Sequence, residues 1–491
     1  MQKRAADPTE VDSPSAIDEL RRENERLRRE IERRERDCER LRKENARLER
    51  KRDRLERAIK RLTAALDAAR RAGKRQAAPF SKGAPTRQPK RPGRRSGGRY
   101  GRHGHRHRPR HIDETIDVPL PPRCLDCGGT LAETRVADQF QEDLPVVRPQ
   151  VRRFRVHVGH CRDCGRRVQG RHPLQTSDAL GAASAHLGPQ AVALIVLLNK
   201  ALGLSHGKIA RLLCDWFGLT VRPSAVTHAL HRAARQAAPT YHALREQVRG
   251  SPVVSPDETS WKVAGELWWL WAFATASTVV YAIQPGRGFD EAAAVLGADF
   301  DGVLVRDGWA PYRQFDQAGH QTCLAHLLRR CHEILEIHPR AVWPQQVHAV
   351  LQDALAVRDR FAAGEISAHG VAIARGHLIT ALLDLLDVPS PLATCQRLAA
   401  HLATEFPALF GFLFDPSVDA TNWRAEQALR PAVVNRKMSG GNRSERGAAT
   451  QQILSTVIQT ARLRDLDARE ILVDLLRAPR PTVSPALATV H

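Results

Sequence analysis

The spacing of apolar residues along this chain changes period several times, and each period predicts a different kind of element. From Ile17 to Leu66 the period is seven. Leu20, Leu27, Leu41, Leu48, Leu55 and Leu62 share one heptad position with Arg34, while Ile17, Asn24, Ile31, Cys38, Asn45, Arg52, Ile59 and Leu66 share the other. Leucine at d beside β-branched residues at a favours two parallel strands, and asparagine at a, here Asn24 and Asn45, fixes register at some cost in stability. The pattern predicts a dimerising coiled coil over 16–69; a single solvated, highly charged helix is the alternative.

The spacing is helical over 180–250. "LGPQAVALIVLLNKALGL" is followed by "SHGKIARLLCDWFGLTVRPSAVTHALHRAARQ", a helix, a turn at Gly218 and a second helix opened by Ser224 as N-cap. This is a helix-turn-helix pattern, whose second helix would enter a major groove; an apolar helical hairpin without that role fits equally well.

From Val253 the pattern becomes that of strands: "VVSPDE", then "SWKV" leading through Gly265 to "LWWLWAFAT", then "TVVYAIQP". A helical "GFDEAAAVLG" and a further strand, "GVLVRDGW", follow. Strand, strand, strand, helix, strand opens a ribonuclease-H-like domain, in which the fourth strand lies parallel to and beside the first. Four of the chain's eight tryptophans fall between Trp261 and Trp271, and they are expected to line buried strands. Residues 340–415 are again apolar and helical.

Charge changes the picture at the front of the chain. The formal net charge is +22, and residues 1–111 hold 36 Lys/Arg against 17 Asp/Glu. Residues 70–111 contain 15 Lys/Arg and no acid, so they should form a disordered basic linker that contacts phosphates. His103, His105, His107 and His111 lie in it, a weak metal-binding pattern. A front-loaded positive field points to a polyanion, nucleic acid before an anionic membrane. The first residues are polar and charged, so no signal peptide is expected, and no apolar stretch approaches about 18 residues, so no membrane span is expected.

Nine cysteines in so long a chain are no disulfide framework. "CLDC" (Cys124, Cys127) and "CRDCG" (Cys161, Cys164) each precede a glycine, Gly128 and Gly165, that lets amides face sulfur. Four such thiolates suit a closed tetrahedral Zn²⁺, and the alternating "RFRVHVGH" between them suits short ribbon strands.

Asp257 and Asp307 stand at the ends of the first and fourth strands, side by side in the expected topology. Adjacent carboxylates repel unless protonated or bridged by cations, and a divalent pair is the usual resolution in phosphoryl transfer. Glu426 is the third acid. Asn422, Glu426 and Arg430 share one helical face. Glu445, in the glycine-rich "SGGNRSERGA", is its rival. Arg430, Arg436, Lys437, Arg443 and Arg446 are candidate DNA-phosphate contacts.

"DET" with "LWWLWAF", "RDGWAPY", "CLAHLLRR" and "TNWRAEQALRP…RK" together resemble the insertion-sequence sixty-six family of bacterial transposases. The order of elements is similar over most of the chain, with departures at Trp423 and Gln427, where the family tends to have asparagine and arginine. The resemblance implies a triad of Asp257, Asp307 and Glu426 binding Mg²⁺ or Mn²⁺, with a helical insertion before Glu426. Cys323 and His326, a CxxH just after the second acid, are also similar to the family. They read as a core cysteine with a hydrogen-bonded histidine, or as a metal pair needing more ligands.

The fold class expected is multidomain α+β: coiled coil 16–69, basic linker 70–111, zinc ribbon 112–172, helical DNA-binding segment 180–250, ribonuclease-H-like core 251–340, helical insertion 341–415, core completion 416–475 and tail 476–491. The activity implied is metal-dependent cleavage at element ends and strand transfer. DNA, a second copy of the chain and helper proteins of the same element are the implied partners, in the bacterial cytoplasm at the nucleoid. A non-catalytic DNA-binding regulator, a decayed transposase and a coiled-coil scaffold are the alternatives.

Overall fold

The computed structural model describes residues 108–181, 185–387 and 391–489, with part of 18–52. Most of the expected linker and the end of the expected coil lie outside the described residues. The chain divides into two units, Met1–Thr115 and Ile116–His491.

In the first unit the described residues between 18 and 52 are helical and exposed. Pairs such as Arg29–Glu25 and Arg34–Glu30, one turn apart, support the helix from its surface. Leu27 and Leu48 are exposed along it.

The second unit opens with both cysteine knuckles. β1 (Val158–His160) pairs antiparallel with β2 (Arg167–Gln169). The Gly128 amide reaches the Cys124 carbonyl at 2.9 Å, and the Gly165 amide reaches that of Cys161 at 3.0 Å. Both glycines take positive φ to close these turns. Apart from this hairpin, 112–172 has little regular structure and exposes Val118, Val136, Val146 and Val151. So small a segment buries too little apolar surface to hold itself together.

Three helices follow: α1 (Pro189–Lys200), α2 (His206–Phe217) and α3 (Pro223–Arg249). Gly218 caps α2 in the left-handed region as expected. Ser224 does not cap α3. Arg222 holds that place, because Pro223, lacking an amide proton and with φ pre-set, takes the first helical position. α3 runs for 27 residues and buries one face from Val226 and Leu230 in its first turns to Leu244 and Val248 near its end.

The sheet has five strands: β3 (Val253–Val263), β4 (Glu266–Ala274), β5 (Val279–Gln284), β6 (Val303–Arg306) and β7 (Gly319–Thr322), in the order β5-β4-β3-β6-β7. β3, β4 and β5 form an antiparallel meander; β6 runs parallel to β3 and to β7. α4 (Phe289–Leu296) makes the crossover to β6. Trp261 and Trp271 are buried outright, whereas Trp268, paired opposite Trp261, and Trp269 are half-buried.

One sheet face packs on α1–α3, α10 (Glu445–Leu463) and α11 (Ala468–Arg477) in a shared core. The other takes α9 (Trp423–Ser439), whose Ala425, Ala428 and Ala432 let it lie close over Trp261 and Tyr281. Between β7 and α9 come α5 (Leu324–Ile337), α6 (Val342–Ala362), α7 (Ala368–Asp387) and α8 (Ala393–Glu405), which form a second core.

α7, of 20 residues and hydropathy 1.2, is long and apolar enough to cross a membrane by length and composition. Its charges are few because alanine, leucine and isoleucine fill most of both faces. Val371, Leu378 and Leu382 are buried in the second core. The tail also packs: Gln247 on α3 donates to the Leu487 and Ala488 carbonyls.

Candidate active site

Asp257 lies within β3 rather than at its tip. β3 and β6 pair only through Val253 and Val254, after which β3 continues as one arm of the hairpin with β4. Asp307 directly follows β6, so both acids stand where the parallel strands part. Glu426 sits in the first turn of α9, with its amide bonded to the Asn422 carbonyl.

The acids sense one another. Burial, then Glu258, Asp307 and Glu426 push the Asp257 carboxyl up to about 8. The Glu258 amide donates to Asp257 Oδ1 at 2.9 Å and opposes that rise. Asp307 Oδ1 accepts the Trp309 amide at 2.9 Å, which fixes the turn after β6.

Sequence reasoning missed the frame around these acids. Glu258 points to the opposite face of β3 from Asp257, as alternate strand residues do. It is buried and accepts from Arg287 Nε and the Tyr312 hydroxyl, each at 2.6 Å. Arg287 in turn lies 4.0 Å over the Trp309 ring and 4.9 Å over the Trp269 ring. Trp309 thereby joins the Glu258 clamp to the Asp307 turn. Desolvation still raises the Glu258 carboxyl, with Tyr312 and Arg287 opposing it. The adjacency of Glu258 to Asp257 was the available signal, because a second acid facing the other way along a buried strand needs partners.

A second clamp lies behind Asp307. Glu405, ending α8, is fully buried and accepts from Arg306 Nη1 at 2.5 Å, Thr322 Oγ1 at 2.6 Å and Arg313 Nη1 at 2.7 Å. Burial alone would raise its carboxyl, but these donors hold it below the usual range. Gly308 follows Asp307 at φ +87°, and a side-chain carbon there would lie 3.1 Å from the His401 ring.

Glu426 is aligned through Asn422. That residue is buried; its Nδ2 donates to the Pro256 carbonyl at 2.8 Å and its amide to Cys323 Sγ at 3.2 Å. His326 Nε2 lies 3.7 Å from Glu426 Oε1. Glu445, expected in a loop, is instead the first residue of α10, behind the Ser444 cap. Serine followed three residues on by a helical amide is a capping arrangement that outweighs the glycines before it.

Of the basic candidates, Arg430, Lys437, Arg443 and Arg446 are exposed. Arg436 is committed to β3, donating to Thr259 Oγ1 at 3.0 Å and to the Ser260 carbonyl and hydroxyl. Cys124 and Cys161 have thiols lowered chiefly by amides of their own knuckles, from Cys127 and Asp126 and from Cys164 and Asp163. Among the described residues, the metal-ligating side chains that gather within 4.8 Å are others: Cys323, His326 and Glu426.

Residues 185–450, more than half of the chain and carrying all three acids, match the model of the Transposase IS66 family. The chain belongs to that family. Two curated relatives, both uncharacterized proteins of Sinorhizobium fredii, are 25% identical to it. The match to y4qI spans 235 residues, 42% of this chain and 43% of that protein. The match to y4jD spans 386 residues, 72% of this chain and 74% of that protein. The IS66 match begins just before α1 and ends inside α10, so it takes in the sheet, both clamps and the α5–α8 helices.

Proposed function

We propose that Asp257, Asp307 and Glu426 form the catalytic centre of a DNA transposase that cleaves element ends and joins the freed 3′-hydroxyl to target DNA. The observation that carries this is the Asp257 carboxyl, half-buried where β3 and β6 part and raised by burial, then by Glu258, Asp307 and Glu426. Three acids from distant stretches of chain share one field there, on a strand order that supports a ribonuclease-H-like core.

The donor set fits Mg²⁺ or Mn²⁺, since crowded carboxylate oxygens left protonated or repelling are what hard divalent cations bind. Bound there, such cations supply the positive charge that activates a nucleophilic oxygen and stabilises a leaving one. The chain's own part is positional. The Glu258 clamp and the Glu405 clamp hold the two aspartates, and Asn422 ties the start of α9 to β3 beside them. Arg430, Lys437, Arg443 and Arg446 offer exposed positive charge for the DNA backbone.

The coil, linker and ribbon complete this reading. Heptads over 16–69 would pair two copies, the basic linker would hold DNA non-specifically, and Cys124, Cys127, Cys161 and Cys164 would close around structural Zn²⁺. Cytoplasmic, nucleoid-bound action with helper proteins of the same element belongs to the same proposal.

The test is nicking of terminal-repeat DNA with Mg²⁺ or Mn²⁺. Wild-type protein should cut, and Asp257→Asn should bind the same DNA with unchanged affinity and not cut. An Asp257→Asn protein that still nicks ends the assignment. A wild-type protein that binds ends without nicking under any divalent cation favours the regulator or a decayed copy.

A further inference from the structure

Cys323, His326 and Glu426 do more than neighbour one another. Cys323 caps α5, and its amide donates to the Arg306 carbonyl at 2.7 Å, which ties it to the end of β6 one residue before Asp307. His326 lies one turn on, with its amide on the Cys323 carbonyl at 3.2 Å, so thiol and imidazole face the same way. Glu426 comes from the start of α9. The two helix starts are stitched together by Leu324 donating to the Ala420 carbonyl at 3.0 Å and by Asn422 donating to Cys323 Sγ.

The result is one sulfur, one imidazole nitrogen and one carboxylate oxygen, all within 4.8 Å of each other on rigid elements. His326 Nδ1 and Asn422 Oδ1 are both buried without a hydrogen-bond partner. Buried polar atoms are nearly always satisfied, and two orphans beside three ligating groups mark a place built for something the protein itself does not supply.

The donors decide what that is. Mg²⁺ takes oxygen ligands only, whereas a thiolate with imidazole and carboxylate suits Zn²⁺, and three protein ligands leave the fourth position open. We infer that Cys323, His326 and Glu426 bind a zinc-class cation, separate from the four ribbon cysteines, with Glu426 as the shared carboxylate between this site and the two aspartates. The inference rests on the proposed catalytic reading only for that sharing. Glu426 has two oxygens, and Oε1 faces His326, which leaves Oε2 for the aspartate side. The third acid would thus be positioned by a thiophilic ion rather than by carboxylate contacts alone.

The experiment is metal content of the full-length protein, loaded with Zn²⁺ and dialysed against Mg²⁺. Wild type should retain one more equivalent of zinc than either Cys323→Ser or His326→Gln, the ribbon contributing equally to all three. In Co²⁺-loaded protein, Cys323→Ser should lose part of the thiolate charge-transfer absorbance. His326 is only part-buried, so His326→Gln guards against a Cys323→Ser protein that fails to fold; circular dichroism checks both. Equal zinc in wild type and folded His326→Gln overturns the inference. Asp257→Asn separates the two readings: it should keep the extra zinc while losing nicking. If wild type holds the extra zinc yet never nicks, the catalytic reading falls and this site stands.

Discussion

Tyr312 donates its hydroxyl to Glu258 at 2.6 Å across 54 positions of chain, and the Glu258 amide in turn donates to Asp257 Oδ1 at 2.9 Å. The Tyr312 bond closes the frame that passes through Arg287 and Trp309 to Asp307. Glu258→Gln keeps the shape and removes the charge that Arg287 answers. It should cost about 2 kcal/mol of stability, the size of a buried hydrogen bond to a charged group, measured by denaturant unfolding. Cleavage should slow while affinity for terminal-repeat DNA holds. Unchanged cleavage in a folded variant would show that the clamp does not position Asp307.

The Asp257 carboxyl, at about 8 in the fold against an ordinary 3.8, sets a pH dependence. An acid raised by folding favours the protonated form. Its penalty is absent below about pH 4, grows as pH rises, and is complete above 8. Cation-free protein should therefore gain stability on going from pH 8 to pH 5, as far as this group is concerned. Mg²⁺ or Mn²⁺ must displace the proton, so binding at pH 7 should release a proton and weaken about tenfold per unit below pH 8. Titration calorimetry in buffers of different protonation enthalpy reads that proton. Binding with no proton release at pH 7 contradicts the shift.

Gly308 carries the turn out of Asp307 at positive φ, against the His401 ring. Gly308→Ala adds about 1–2 kcal/mol of left-handed strain and a close contact where Asp307 must be held. Loss of cleavage by at least about tenfold is expected, with DNA binding intact. A fully active Gly308→Ala protein would mean that the turn tolerates displacement.

Lys200 is buried, bonded to Gln451 Oε1 at 2.7 Å, and pushed down to about 7 by desolvation. Its penalty is complete below pH 7 and relieved as pH rises toward 10.5. Lys200→Met should therefore raise the melting temperature at pH 6, with the gain vanishing near pH 10.5. A lower melting temperature at pH 6 would show that the Gln451 bond outweighs desolvation.

Much of the sheet was legible because strand alternation and the run of tryptophans around β4 carry their own period. Asp307 and Glu426 sit where pattern placed them, directly after a strand and at a helix start, while Asp257 stands inside a strand that runs on well past its apolar start. The clamps were not legible. Glu258 meets Tyr312, and Glu405 meets Arg306, only after the sheet and α8 have formed, and nothing in the local spacing of either glutamate points at its partner. The cap of α3 was misread for a local reason, since Ser224 is a good cap only where no proline claims the first turn. The Cys323, His326 and Glu426 group was half visible as a CxxH; its third member lies on another helix.

Glu405 also bears on how such an enzyme can be rebuilt. Residues 341–415 look on paper like a cassette spliced into a finished core, to be trimmed or exchanged between relatives. Because the last residue of α8 grips Arg306 and Thr322, removing that cassette would strand two polar groups inside the protein directly behind Asp307. Any chimera must bring its own acid to that spot.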